Sequence, residues 1–423
     1  MTPSARIQMA IEILQALEHT AQPVDRFLRH WFQARRYAGA KDRAAIGERI
    51  YDVFRHRASY QWRMGSADPR ALVIASCLAE TSSPDVLEGI FAGGKYGPAP
   101  LHDAERRAIV QPPQELPPLF VQGEFPAWLE SELVRSLGDM LPQEMQAMSG
   151  RAPVDLRVNV VKSTQEDVLR ALRSEGFDAD PTRFAPYGIR LSPAAGRSVL
   201  QKSELFQNGL FEFQDEGSQM VAHLVDAKPG ERILDYAAGA GGKALALAAV
   251  MGNQGEIIAY DKFPERMRPL VERAERADAS IIVPIGDDAQ HLAPHAFDAV
   301  LLDAPCSGSG TWRRNPDAKW RLTAEKLAHY WRSQMDMLDS AARLVKPGGR
   351  LIYATCSILR CENEDMVDSF LSRNRAFVGT DVDRLWPRLF SAQLPPGTGH
   401  DFRASPLKTG TDGFFASIMR VAP

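Results

Sequence analysis

Two apolar runs constrain this chain more than anything else in it. One is FDAVLLD, Phe297 to Asp303, which continues through Ala-Pro to Cys306; the other is RLIYAT, Arg350 to Thr355, which ends on Cys356. Polar–apolar alternation is absent from the first and weak in the second, as in parallel strands covered on both faces. From Glu231 onward such runs alternate with helical patterns: ERILDYA, the turn GAGGK, the helix ALALAAVM, then EIIAYD, PERMRPLVERAERA, IIVPIGD and FDAVLLDAP. A long helical stretch, TAEKLAHYWRSQMDMLDSAARLV, meets a stop signal at Lys346-Pro347-Gly348-Gly349 before RLIYATC. This alternation specifies an α/β fold with a doubly wound parallel sheet. The closing segment RASPLKTGTDGFFASIMRV is expected to add a late antiparallel strand at one edge. In open α/β sheets, ligands gather beyond the carboxyl ends of the strands, so two strands that each end in a cysteine aim two thiols at one crevice.

What precedes the sheet differs in character. From Ala5 to about Gln61 apolar residues recur at helical spacing (Ile7, Ala10, Ile11, Leu14; Phe27, Leu28, Trp31, Phe32; Ile46, Ile50, Val53, Phe54). Arginines such as Arg26, Arg29, Arg35, Arg36, Arg43, Arg49 and Arg55 stud these segments. They suit either the solvated face of a helical bundle or a surface that grips phosphates. Helical pieces with proline-rich interruptions continue to about Ala147. Near Pro153, VDLRVNVV reads as a strand, STQEDVLRALRSEGF as a helix capped by Ser163 or Thr164, and PYGIRL as another strand. The expected division is an all-α domain over 1–140, a small α+β subdomain over 141–212 and the main sheet over 213–423.

The 423 residues, 44% of them apolar, suffice for such cores, and a net charge of −3 means that any basic surface is local. Four cysteines (Cys77, Cys306, Cys356, Cys361) are too few and too unevenly spaced for a disulfide scaffold, and they lack the close pairs of a zinc site. The start lacks the apolar core of a signal peptide and no stretch is long enough to span a bilayer, so a cytoplasmic protein without a membrane partner is expected. Nothing demands more than a monomer.

Gly239, Gly241 and Gly242 lie between the first strand and its helix, where backbone approaches a ligand closely, and Asp261 ends the second strand at the place of a ribose-hydroxyl acceptor. A dinucleotide site wants a further glycine inside the helix, whereas this chain has Lys243-Ala244-Leu245. A ligand with ribose and adenine but no phosphates fits better, and S-adenosylmethionine is one. Asp287 or Asp288, ending the third strand, would meet the adenine amine; Asp303, ending the fourth, adjoins the reacting centre. A thiolate beside such a site suits one chemical problem: carbon 5 of a pyrimidine becomes nucleophilic only after something has added to carbon 6.

AAGAGGK, DAPCSGSGTWRRNPDAKW, YATCSILRCENEDMV and the terminal TDGFFAS resemble the RsmB/Nop/Sun family of RNA (cytosine-5) methyltransferases. RRYAGAKDRAAIGERIYDVFR resembles the NusB-like RNA-binding helical domain of bacterial members, and the DLRVN unit resembles the small RNA-binding subdomain before the catalytic fold. The resemblance implies a class I, Rossmann-like methyltransferase that uses S-adenosylmethionine on RNA. Ribosomal RNA of the small subunit is the expected substrate, with transfer RNA as the alternative. It makes Cys356 the nucleophile that adds to cytosine carbon 6, Cys306 the cysteine associated with release of the adduct, and Asp303 the partner of the cytosine edge. It places the cofactor turn on Ala237, Ala238, Gly239, Ala240, Gly241, Gly242 and Lys243, with Asp261 at the ribose and Asp287 at the adenine. The family turn usually reads Cys-Ala-Ala-Pro-Gly-Gly-Lys-Thr, so Ala240 replaces a proline and Ala244 a threonine, which implies altered cofactor affinity. Arg313, Arg314, Lys319 and Arg321, with Trp312 and Trp320 among them, read either as a solvated loop or as contacts to phosphates and bases. Two rival readings remain: an RNA-binding assembly factor without turnover, which only the altered turn favours, and a nicotinamide-dependent dehydrogenase, which gives the cysteines no work.

Overall fold

The computed structural model describes residues 1–81, 83–286 and 292–422, and they form two compact units: residues 1–150 with 312–324, and residues 151–311 with 325–422. The first unit is helical. Helices Pro3–Leu17, Val24–Gln33, Ala40–Arg55, Arg57–Met64 and Pro69–Thr81 bury the apolar stripes that the periodicity marks, with Ile13, Ile46, Ile50, Val73 and Ile74 wholly inside. Thr2 caps the first helix by accepting from the Ala5 N–H, with Pro3 in its first turn.

The segment that follows the first cysteine loop belongs to this helical unit, and for Trp312, Arg313 and Lys319 the structure corrects the expectation of an RNA-contacting or solvated loop. Trp312, Arg313 and Lys319 are buried. The Trp320 indole donates to the Phe54 carbonyl at 2.7 Å, the Lys319 ammonium to the Arg55 carbonyl, and Asp317 accepts from the Val24 N–H. Burial pushes Lys319 down to about 8, so this amine serves the interior of the unit.

The second unit begins with a four-stranded antiparallel sheet built from β1 (Val154–Val158), β2 (Ala179–Pro181), β3 (Gly188–Leu191) and β4 (Phe211–Phe213), in the order β2-β3-β1-β4. Helix Gln165–Ser174 packs on it, capped by Thr164. Arg190 forks onto Asp155 with two bonds of 2.7 Å across β3 and β1, and the Asn159 amide reaches the Ala277 carbonyl at 2.8 Å, fastening this small sheet to the end of helix Arg268–Ala277.

The main sheet contains β5 (Arg232–Asp235), β6 (Glu256–Tyr260), β7 (Ile282–Ile285), β8 (Phe297–Asp303), β9 (Val345–Thr355), β10 (Phe377–Thr380), β11 (Phe402–Ala404) and β12 (Phe414–Val421). Its order is β10-β12-β9-β8-β5-β6-β7, with β11 paired to β12. The five strands from β9 to β7 run parallel, as the unalternated apolar runs require. Ile233, Ala299, Leu301 and Ile352 face one core, while Leu234, Val300, Leu302 and Leu351 face another. Helices therefore cover both faces.

Two local expectations change. The last strand lies inside the sheet, hydrogen-bonded to β9 on one side and to β10 on the other, because β10 and β11 supply partners that their short sequences do not announce. Lys346-Pro347-Gly348-Gly349 is an irregularity within β9: two steps along β8, from Phe297 to Ala299, match five along β9, from Val345 to Arg350. No helix among the described residues is long and apolar enough to cross a membrane.

Candidate active site

Every candidate site residue among those described sits at the carboxyl end of β5, β6, β8 or β9, or in the loop or first helical turn that follows. Because β8 and β9 are neighbours with Asp303 beside Ala354, the loops after them emerge side by side. Cys306 and Cys356 meet there, sulfur to sulfur, at 3.4 Å. The Gly310 N–H donates to the Cys356 carbonyl and the Gly413 N–H to the Gly310 carbonyl, so the loop carrying Cys306 is stitched to β9 and to the start of β12. Gly310 has to be glycine: a Cβ there would lie 2.2 Å from the Gly413 carbonyl oxygen.

The thiols are chemically unequal. Cys306 is pushed well above the ordinary thiol range, first by its hydrogen bond with Cys356, then by burial and by the negative charge of Cys356 and Glu362. It is the thiol that keeps its proton. Behind the pair stands an ion pair between the Lys243 ammonium and the Asp303 carboxylate. Burial works against the charge on Lys243, but Asp303, Asp235 and Cys356 overcome it and hold its pKa above normal. Lys243 thus turns away from the turn that it closes and serves as the cation of the cysteine crevice.

The turn from Ala237 to Gly242 has the geometry of a ligand cradle. Gly239 and Gly241 take positive φ, the Ala238 N–H donates to the Tyr260 carbonyl at the end of β6, and Gly241 closes the turn on the Ala238 carbonyl at 2.8 Å. Ala240 is the exposed tip, and its carbonyl accepts from Arg273, which supplies stiffness where the family's usual turn has a proline. Asp261 accepts from the Gly239 N–H at 3.0 Å and from the Phe263 N–H at 2.9 Å, with Arg266 at 3.3 Å. Asp287 and its alternative Asp288 lie outside the described residues.

The donor set suits S-adenosylmethionine. Asp261 is a carboxylate for ribose hydroxyls, and the half-exposed Phe263 ring offers a face to a purine. Sequence reasoning passed over Asp235, which ends β5 beneath the turn. It is buried, and neither carboxyl oxygen makes a full hydrogen bond. Burial and then Asp303 push it up to about 7, against the smaller opposing pull of Lys243.

That shift has a signed consequence. The folded state holds the Asp235 proton up to about pH 7, whereas the unfolded chain releases it near the ordinary aspartate value. The unprotonated group therefore costs stability that grows from about pH 4 to about pH 7. An Asp235→Asn protein without cofactor should gain on wild type in melting temperature across that window and level off above it. A difference no larger at pH 8 than at pH 4 would contradict the assignment.

A scan against family models matches residues 222–420 to the 16S rRNA methyltransferase RsmB/F model and residues 125–196 to the ferredoxin-like domain of RsmF/B-like methyltransferases. Among curated proteins, the probable ribosomal RNA small subunit methyltransferase B of Bacillus subtilis is 31% identical over 307 residues, covering 71% of this chain and 67% of that protein. The Synechocystis protein of the same description is 34% identical over 314 residues, covering 73% and 69%. Among solved structures, that of PH0851 covers 99% of both chains with a TM-score of 0.74 at 27% identity. A methyltransferase homolog from Pyrococcus horikoshii covers 71% of this chain and 97% of its own with a TM-score of 0.61 at 26% identity.

Proposed function

Because the chain belongs to the RsmB/F family of S-adenosylmethionine-dependent 16S rRNA methyltransferases, we propose that it methylates carbon 5 of a cytosine in small-subunit ribosomal RNA through a covalent adduct on Cys356. The observation that carries this reading is the pair of sulfurs 3.4 Å apart at the ends of adjacent parallel strands, beside the Lys243–Asp303 ion pair.

S-adenosylmethionine supplies the methyl group as a carbon made electrophilic by its sulfonium. The residues of the chain do the rest. Cys356 attacks carbon 6 as a thiolate, stabilised by the Lys243 cation, and a carbon–sulfur bond forms. Asp303, part-exposed at the mouth of the crevice, accepts from the amine on the cytosine edge and orients the ring. Carbon 5 is then nucleophilic and would take the methyl carbon as its bond to the sulfonium sulfur breaks, the electron pair staying on that sulfur as a neutral thioether.

Release follows from the coupling of the thiols. Once Cys356 is bonded to carbon, the charge that opposed ionisation of Cys306 is gone. Cys306 then removes the proton from carbon 5, the double bond re-forms and the Cys356–carbon bond breaks. The two cysteines thus act in succession, each made competent by the state of the other.

The test is transfer of labelled methyl to small-subunit ribosomal RNA stripped of its modifications, beside bulk transfer RNA, with nucleoside analysis of the product. Label recovered as 5-methylcytidine in the ribosomal RNA is expected. Label in another nucleoside, or in transfer RNA alone, would sink the proposal.

A further inference from the structure

A buried carboxylate beside the cysteines has no part in this scheme. Glu362 lies in the turn Arg360–Glu362, six residues past Cys356, and is fully inaccessible to solvent. Four donors converge on its two oxygens. The Ser307 N–H donates at 2.8 Å and the Gln334 amide at 3.1 Å to Oε1, and the hydroxyls of Ser307 and Ser357 donate at 2.5 and 2.6 Å to Oε2. Burial pushes the Glu362 carboxyl above the ordinary carboxylate range, and these four donors pull the other way by holding its anion. Its placement is specific, because Ser307 follows Cys306 and Ser357 follows Cys356 directly in the chain. Gln334 also donates to the carbonyl of Pro305, the residue before Cys306.

We infer that Glu362 is a positioning residue for the cysteine pair: it clamps the two loops that carry Cys306 and Cys356, and its charge reserves the part of nucleophile for Cys356. The inference rests on the roles given to the two thiols above. A structural carboxylate needs no relation to the chemistry, yet this one holds the residue after each thiol directly, and the residue before Cys306 through Gln334. The buried serines extend the clamp: Ser309 bonds Ser357 at 2.9 Å and takes the Ile358 N–H at 2.9 Å. The titratable groups around Cys306 are Cys356 and Tyr353 from β9, and Glu362 and Cys361 from the turn beyond it, with Lys243 and Asp303 on the far side of Cys356. Of these, Glu362 and Cys356 set the charge felt by Cys306.

The experiment compares Glu362→Gln with wild type in the full-length protein. Iodoacetamide alkylation is followed across pH, with each cysteine read by mass spectrometry and cofactor affinity measured by calorimetry. The glutamine keeps the size and loses the charge, so the midpoint for Cys306 alkylation should fall by about one pH unit. Single-turnover methyl transfer should slow by at least about tenfold, since two loops held near reacting geometry are loosened. An unchanged midpoint in a variant that binds cofactor normally would overturn the inference, because a merely structural glutamate leaves it unmoved. Should that variant fail to fold, Ser357→Ala carries the test. It removes one strut and keeps the charge, so transfer should slow about fivefold while the Cys306 midpoint holds. Transfer at the wild-type rate would overturn the clamp. Wild-type protein whose thiols titrate as described but which methylates no RNA would count against the proposed reaction and leave the clamp standing.

Discussion

Replacing Cys356 by alanine should lower methyl transfer by roughly 10⁴-fold or more, because it removes the only step that makes carbon 5 nucleophilic. The measurement is incorporation of labelled methyl into small-subunit ribosomal RNA, with cofactor affinity as the control. Cys356 meets the cofactor turn through the charge of Lys243, so affinity should stay within about threefold of wild type, a small change in interaction energy. The variant also repacks little: the side chain is part-exposed at the end of β9, and the N–H groups and hydroxyls that bind that loop belong to other residues. Retention of substantial activity would remove the covalent mechanism altogether.

The second large effect is of opposite kind. Cys306→Ala should leave the attack on carbon 6 intact and block release, so that RNA accumulates on the protein as a covalent adduct. A denaturing gel should show a slowly migrating species that requires cofactor and disappears when Cys356 is also replaced. Its absence, with methyl transfer at the wild-type rate, would show that another group takes the carbon 5 proton. The two variants thus separate the sulfurs, which lie 3.4 Å apart but differ in their neighbours: Cys306 faces Glu362, whereas Cys356 faces Lys243.

Much of this site was legible from residues alone because its elements are locally determined. The runs AVLL and LIYA forecast buried parallel strands, and the glycines at 239 and 241 marked a turn of close backbone approach, which the structure forms with positive φ and with Asp261 beside it. What stayed hidden depends on tertiary placement. Trp312 to Arg321 has the aromatic and basic composition of a nucleic-acid contact, but Trp312 is buried, and the Trp320 indole and the Lys319 ammonium donate to backbone carbonyls inside the helical unit. Glu362 reads as an acid just before a helix, where acids are common, and only the approach of Ser307 from 55 residues upstream marks it out. Asp235 reads as an ordinary strand end, and its raised pKa comes from the lid of residues folded over it. β10 and β11 are four and three residues long, too short for a period to register.

The position of β12 has a consequence for when this protein can work. β12 pairs with β9 from Phe415↔Thr355 to Arg420↔Arg350, and the Gly413 N–H just before it holds the Cys306 loop. β9, which delivers Cys356, therefore waits for a neighbour that the ribosome makes more than fifty residues later. Through that interval of translation the nascent chain carries both thiols without the strand that braces them, and exposes an open apolar sheet edge. Activity is thereby tied to the making of one late strand: an enzyme that acts on the RNA of ribosomes is assembled only once a ribosome has let go of residues 414–421.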